Sequence, residues 1–383
     1  MSNIPKLRFP EFKGEWEEKR LEEICDPPKY GLNSAGIEFD GIHKYLRITD
    51  IDEITHTFSP TDITTPSEFN DEYLLNKNDI VFARTGASTG KTYLYDSNDG
   101  DLYFAGFLIK FHVKDANARF VFYQTLTHKY SKWVHVMSTR SGQPGINSEE
   151  YGSYKIKLPD IHEQQKIADF LSNVDSIITA ETKILKNLQK KKKALMQKLF
   201  TQQLRFKSDD GTDFPTWEEK KLGDVCEEFK AGKTITSHDI SEKGEYPVYG
   251  GNGLRGYYNE FNHDGYYVLI GRQGALCGNI NEVQGKTYIS EHAIAIKAND
   301  DNLSKYLFFF LDYCNLNQYS ESSAQPGLSV QKLIIKQFSF PCKAEQQKIA
   351  DCLSSIDSLI QTQQKVVTTW QQRKKALLQQ MFV

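Results

Sequence analysis

The same series of motifs occurs twice along this chain, and that duplication constrains the fold more than any single segment does. Trp16-Glu17-Glu18-Lys19-Arg20-Leu21 through Cys25 recurs as Trp217-Glu218-Glu219-Lys220-Lys221-Leu222 through Cys226. Ser141-Gly142-Gln143-Pro144-Gly145 recurs as Ser323-Ala324-Gln325-Pro326-Gly327. Glu163-Gln164-Gln165-Lys166-Ile167-Ala168-Asp169 is repeated letter for letter at Glu345 to Asp351. At one constant offset the likeness runs on through Lys192-Lys193-Ala194-Leu195 and Phe200, matched by Lys374-Lys375-Ala376-Leu377 and Phe382. Between these anchors the halves diverge. One architectural unit, a globular domain followed by a long helix, is therefore expected in two copies whose helices stayed alike while their domains changed.

The repeated tails carry a heptad seam. Ile167, Leu171, Val174, Ile178, Leu185, Leu188, Leu195 and Leu199 follow one another at steps that place them on one helical face. Ile349, Leu353, Ile356, Ile360, Val367, Trp370, Leu377 and Met381 keep the same register. Glu181 and Gln363 interrupt both seams at one equivalent place, as do Lys192 and Lys374; polar residues at seam positions fix register and partner choice. Two helices, each about 55 Å long at 1.5 Å per residue, are expected. The short polar linker after Phe200 makes the second helix run back along the first, so the expectation is an antiparallel intramolecular coiled coil with a domain at each end of a rod.

Each globular region reads as mixed α/β with short strands, which makes the whole α+β with an internal pseudo-twofold repeat. Strands are expected at Tyr45 to Ile48, Asp79 to Arg84, Leu108 to Val113 and Tyr154 to Leu158, and a helix over 117–137. In the second region they are expected at Tyr266 to Gly271 and Ala293 to Lys297, with a helix over 302–319. Both regions share a strand that ends in Arg-x-Gly-Ala-x-x-Gly: Arg84 to Gly90 and Arg272 to Gly278. Glycines after a strand let backbone N–H groups approach a ligand, and the arginine suits bidentate pairing with phosphate or guanine.

Signals of catalysis fail on spacing. Gly86-Ala87-Ser88-Thr89-Gly90-Lys91-Thr92 is one residue short of a P-loop, and the second copy has Asn279 in place of the lysine. Asp26-Pro27-Pro28-Lys29 lacks the aromatic that stacks on a flipped base in amino-methyltransferases. Asp160 and Glu163 read as a helix start rather than nuclease carboxylates, since Cys342 replaces the aspartate in the second copy. Six scattered cysteines without a C-x-x-C pair, and nine histidines without ligand spacing, point away from a metal or disulfide framework and towards a reducing cytoplasm. No run of 18 apolar residues is present to span a membrane. A net charge of −3 means that any nucleic-acid contact rests on local patches. The run Lys190 to Lys193 reads as a solvated helix face, with DNA phosphates or an acidic partner as the alternative.

Trp-Glu-x-x-x-Leu at each module start, the Gln-Pro-Gly segments and the twin Glu-Gln-Gln-Lys-Ile-Ala helices resemble the specificity subunit of type I restriction–modification enzymes, over essentially the whole chain. Tyr246-Pro247-Val248-Tyr249-Gly250-Gly251-Asn252-Gly253 also looks like a segment of such recognition domains; the first copy carries Tyr45-Leu46-Arg47-Ile48-Thr49-Asp50 at that stage. The resemblance implies target-recognition domains at 1–160 and, with a linker, 201–342, and spacer helices at 161–200 and 343–383. It implies a non-catalytic subunit that reads an asymmetric bipartite site on double-stranded DNA. Two methyltransferase subunits, and through them motor-nuclease subunits, are the implied partners. S-adenosylmethionine, ATP and magnesium belong to those partners, and no cofactor is expected on this chain. The residues expected to contact DNA are Arg47, Arg84, Thr85, Lys91, Arg140, Ser141 and Gln143 in the first module. In the second they are Asn252, Arg255, Arg272, Gln273 and Gln325. A self-contained DNA-modifying enzyme would need a cofactor loop that is not found, and a coiled-coil scaffold without DNA affinity would not call for matched arginine–glycine loops.

Overall fold

A computed structural model describes residues 4–68, 70–139, 144–274, 276–320 and 327–382. Two compact units emerge: residues 1–182 with 366–383, and residues 183–365. Both boundaries fall inside the long helices, so each unit is built from a globular region plus a stretch of each helix.

In the first unit the chain forms β1 (Glu17–Arg20), β2 (Lys29–Tyr30), β3 (Gly36–Glu38), β4 (Lys44–Leu46), β5 (Thr64–Pro66), β6 (Asp79–Ala83), β7 (Thr92–Leu94), β8 (Leu102–Phe104) and β9 (Leu108–His112). Then come α1 (Ala118–Gln124), α2 (His128–Ser138), α3 (Ser148–Gly152), β10 (Lys155–Leu158) and the 40-residue α4 (Ile161–Phe200). The central sheet has the order β2-β9-β6-β7, flanked by the pairs β1-β10, β3-β5 and β4-β8. Every residue of β6 is buried, the mark of a strand covered on both faces. The strand expected over 45–48 stops at Leu46, because the Asp50 carboxylate accepts the Arg47 backbone N–H at 2.8 Å and turns the chain. The helix expected over 117–137 is two helices. Thr125 and Thr127 donate their hydroxyls to the carbonyls of Phe122 and Gln124, and the Thr127 side chain then caps α2.

The second unit holds β11 (Glu218–Lys221), β12 (Cys226–Ala231), β13 (Tyr246–Gly250), β14 (Gly253–Tyr258), β15 (Tyr266–Gly271), β16 (Ile280–Gln284), β17 (Tyr288–Ile289) and β18 (Ala293–Ala298). α5 (Ser304–Tyr313), α6 (Val330–Ile334), β19 (Gln337–Phe340) and the 39-residue α7 (Lys343–Met381) follow. Sheets run β12-β18-β15-β16 and β14-β13-β17, with the pair β11-β19 equivalent to β1-β10. The helix expected over 302–319 ends at Tyr313, where Asn315 takes a left-handed φ of 47° before a short 3-10 turn.

The helix pairing repeats in both units, and it is antiparallel in each. In the first, Ile167, Ala168 and Leu171 of α4 share a core with Leu378 and Met381 of α7, while Asp175 pairs with Lys374 at 2.6 Å. In the second, Met196, Leu199 and Phe200 pack with Ile349, Ala350 and Leu353, while Lys192 pairs with Asp357 at 2.6 Å. The lysines that interrupt the two seams thus meet aspartates at equivalent places. Lys190, Lys191 and Lys193 are exposed.

The identity of Glu-Gln-Gln-Lys-Ile-Ala has a cause inside the chain. Glu163 is buried and accepts a bidentate pair from Arg8, at 2.8 Å to Nε and 2.8 Å to Nη2. Glu345 does the same with Arg205, at 3.0 and 2.7 Å. Gln164 spans the helix start, donating to the Pro159 carbonyl at 2.8 Å and accepting the Asn117 N–H at 3.0 Å. Gln346 donates to Pro341 at 3.0 Å and accepts the Leu303 N–H at 2.9 Å. Lys166 reaches Glu11 and Lys348 reaches Asp209. The motif therefore anchors each globular region to its helix. Asp160 accepts the His162 N–H at 2.8 Å, which is the helix start expected for it. Among the described residues no helix is long and apolar enough to cross a membrane, and no cluster of His, Cys, Asp or Glu could hold a metal ion.

Candidate nucleic-acid interface

Arg84 follows β6 and Arg272 follows β15, and the loops after them fold alike. Gly90 N–H donates to the Ala83 carbonyl at 3.0 Å and Ala83 N–H to that of Lys91 at 2.8 Å, closing the first loop at its base. Gly278 to Gly271 at 2.8 Å and Gly271 to Asn279 at 2.7 Å close the second. Gly86 and Gly90 have φ of 78° and 91°, and Gly274 and Gly278 have 80° and 86°. These are left-handed conformations that other residues resist. Packing fixes Gly90 and Gly278 further: a Cβ on Gly90 would lie 2.5 Å from Val134, and one on Gly278 2.5 Å from the Asn317 backbone nitrogen.

The fold also joins two motifs that lie far apart in sequence. Arg84 accepts the Ile146 N–H through its carbonyl at 2.9 Å, and Gly86 N–H donates to Pro144 at 3.1 Å, so the loop is zipped to the end of the Gln-Pro-Gly segment. In the second unit Arg272 accepts the Leu328 N–H at 2.9 Å, and Gln273 bridges to Gly327. In both units the start of the arginine–glycine loop thus pairs with the described end of the Gln-Pro-Gly segment, while the residue after the arginine differs, Thr85 in one and Gln273 in the other. Arg140, Ser141, Gln143 and Gln325 lie outside the described residues.

Side chains around this element fall into two groups. Arg84 stands over the Tyr30 ring, 5.0 Å from its centroid, which orients the guanidinium without consuming a hydrogen bond. Thr85 is half-buried beside it, while Gln273, Asn252 and Arg255 are exposed and Arg272 is half-buried with no side-chain partner among the described residues. Asn252 comes close to the Arg272 loop because Gly251 packs directly on Gly271: a Cβ on Gly251 would be 2.7 Å from the Gly271 Cα. Asn281 holds that turn by donating to the Gly251 carbonyl at 3.2 Å. Arg255 lies 3.5 Å from the Ser290 hydroxyl.

Lys91 and Arg47 are tied into the protein. The Lys91 side chain is 6% exposed; its ammonium donates to the Ile51 carbonyl at 3.0 Å and meets Glu53, so it braces the loop instead of facing solvent. The DNA contact expected of Lys91 thus meets an ammonium that is turned into the protein. Arg47 commits Nε and Nη2 to the buried Asp50 carboxylate, both at 2.8 Å, leaving Nη1 outside that pair. With Tyr45, Asn33, Ser34, Thr49 and Phe107 it lines a cleft of about 320 Å³. Tyr30, Phe107 and His292, whose carbonyl accepts the Arg272 N–H at 2.9 Å, were not indicated by sequence: none belongs to a repeated motif. Asp26-Pro27-Pro28-Lys29 enters β2, where Lys29 pairs with Glu72 at 2.7 Å.

Comparison with known proteins gives this geometry a context. Residues 13–190 and 215–369 match the type I restriction modification DNA specificity domain. The chain is 32% identical to the type I restriction enzyme EcoprrI specificity subunit of Escherichia coli over 63% of its own length and 61% of that subunit's. It is 25% identical to the putative MjaX specificity subunit of Methanocaldococcus jannaschii over 98% and 95% of the two chains. Its fold is similar to the crystal structure of the type I restriction–modification S subunit from M. genitalium, with a TM-score of 0.67 at 18% identity over 99% of both chains. A chain from a structure describing complex assembly and conformational transition of the type I system aligns with a TM-score of 0.57 at 17% identity, over 95% and 96%. The protein belongs to the type I restriction–modification DNA specificity family, as a DNA-recognising subunit and not a catalytic one.

Proposed function

We propose that each unit reads one half of an asymmetric bipartite site on double-stranded DNA, using the surface formed by its arginine–glycine loop and Gln-Pro-Gly segment. The observation that carries this is the same pairing of the arginine–glycine loop with the end of the Gln-Pro-Gly segment in two units whose sequences otherwise diverge between the repeated motifs. A common loop with different neighbours, Thr85 after one arginine and Gln273 after the other, suits two modules that meet one kind of ligand in two sequences. Arg84 and Arg272 are the leading base-reading candidates, since a guanidinium pairs bidentately with guanine O6 and N7; Asn252 and Gln273 suit adenine N6 and N7. The long helices, alike in both copies, offer two equivalent faces to two adenine-methyltransferase subunits, and through them to motor-nuclease subunits. S-adenosylmethionine, ATP and magnesium reside in those partners, and the assembly works in the cytoplasm. Selection from random duplexes by the chain co-purified with its methyltransferase tests this. Enrichment of two short unlike motifs at fixed separation is expected; one uninterrupted motif, or none, overturns the proposal.

A further inference from the structure

The turn Ala105-Gly106-Phe107 between β8 and β9 presents an aromatic ring to solvent, with Phe107 60% exposed. Its backbone is held on every side. The Phe107 carbonyl accepts the Arg84 N–H at 3.0 Å, Gly106 N–H donates to Leu32 at 2.8 Å, and Leu108 N–H to Ala105 at 2.8 Å. A phenyl ring on a loose loop folds down onto nearby apolar surface; this one is kept in water by a rigid turn, at a hydrophobic cost. It lines the cleft that Arg47, Asn33, Ser34 and Thr49 also line, and its backbone is bonded to that of Arg84, whose guanidinium stands over Tyr30. Two arginines and several small polar groups around one rigid apolar tip fit a nucleic acid, which offers phosphates to the cations and base faces to the ring. In the second unit the residue whose carbonyl receives the arginine N–H is His292.

We propose that Phe107 is a wedge that stacks against a base in the half-site read by the first unit. Apolar side chains inserted at a base step partly unstack it, and pyrimidine–purine steps open most readily. The ring would thereby favour a deformable step at a position where no hydrogen bond reads the base. This rests on the reading of the first unit as a recognition module.

The test uses the full chain in complex with its methyltransferase and the duplex obtained by selection. 2-Aminopurine is placed at each position of the first half-site in turn. Fluorescence is expected to rise at one step when the complex binds, to stay low with Phe107→Ala, and to rise again with Phe107→Trp. Phe107→Ala should weaken target binding by about 5- to 150-fold, the range for loss of one base-stacking side chain. It should leave preference for the second half-site unchanged, which shows that the variant is folded. Wild-type affinity in Phe107→Ala, or a loss of affinity with no 2-aminopurine signal in the wild-type complex, overturns the wedge. If Arg84→Ala still relaxes the first half-site in that event, the recognition reading stands without it. A wild-type complex with no sequence preference fails the recognition reading itself.

Discussion

Replacing Arg8 by alanine tests whether the repeated Glu-Gln-Gln-Lys-Ile-Ala motif is an anchor. Glu163 has a side chain 1% exposed, and both its oxygens are occupied by the Arg8 fork. Removing one partner of a buried ion pair strands the other, at about 3–5 kcal/mol. In the first unit the Trp16 indole N–H has no partner, so no tryptophan bond to Glu163 remains once the Arg8 fork is removed. In the second unit Trp217 donates to Glu345 at 3.1 Å, so Arg205→Ala keeps one donor on the carboxylate and should cost less. Because a chain of two compact units can unfold in more than one step, hydrogen exchange at the first turns of α4 and α7 is the suitable assay. Arg8→Ala should lower protection at 161–170 and leave 343–352 nearly unchanged. A double variant, Arg8→Met with Glu163→Leu, should recover most of the loss. A change below about 1 kcal/mol for Arg8→Ala, against the roughly 3–5 expected, would refute the anchoring role.

Further outcomes follow from the loops, one histidine and the helices. Gly90→Ala and Gly278→Ala each force a left-handed alanine against a neighbour 2.5 Å away, so each should destabilise its own unit by at least about 1–2 kcal/mol in denaturant titration. His56 is half-buried, donates Nδ1–H to the Thr92 carbonyl at 2.8 Å, and is held below the usual histidine pKa by its removal from water. The unfolded chain therefore binds the proton first, and stability present above pH about 6.5 should fall as the pH drops towards the folded value. His56→Asn, which tolerates the φ of 56°, should flatten that part of the melting profile of the first unit. Deleting one heptad from each helix, 178–184 and 360–366, keeps the seam in register and shortens a helical ruler by about 10 Å. Selected half-sites should then keep their sequences while the spacer shrinks by about two or three base pairs; an active variant that still requires the original spacer would show that the helices do not set it.

The features legible in sequence were those with period or repetition. The seams of α4 and α7, the buried strand β6 and the two arginine–glycine loops all carry a pattern strong enough to survive without coordinates. What escaped depends on contacts between distant residues. Leu7-Arg8-Phe9 and Leu204-Arg205-Phe206 are a further repeat, hidden because the linkers to Trp16 and Trp217 differ in length. Thr125 and Thr127 end one helix and start another through hydroxyls that a hydrophobic pattern does not register. Lys91 is expected from sequence to contact DNA, because sequence shows its charge but not the Ile51 carbonyl and Glu53 that its ammonium meets. Phe107 carries no pattern in the sequence that marks it as exposed, since phenylalanine is most often buried; its place in the hydrogen-bonded turn makes it a surface feature.

The most direct measurement is the methylome of a host that expresses this chain with its methyltransferase, compared with hosts carrying Arg84→Ala or Arg272→Ala. Both arginines belong to the same structural element, one per unit, and removing a bidentate arginine–guanine pairing should reduce discrimination by about 1–3 kcal/mol. The wild-type chain should direct adenine methylation to one asymmetric bipartite sequence. Arg84→Ala should relax one half of that sequence and Arg272→Ala the other. A single uninterrupted motif, both variants altering the same half, or methylation that does not depend on this chain would contradict the assignment of one half-site to each unit.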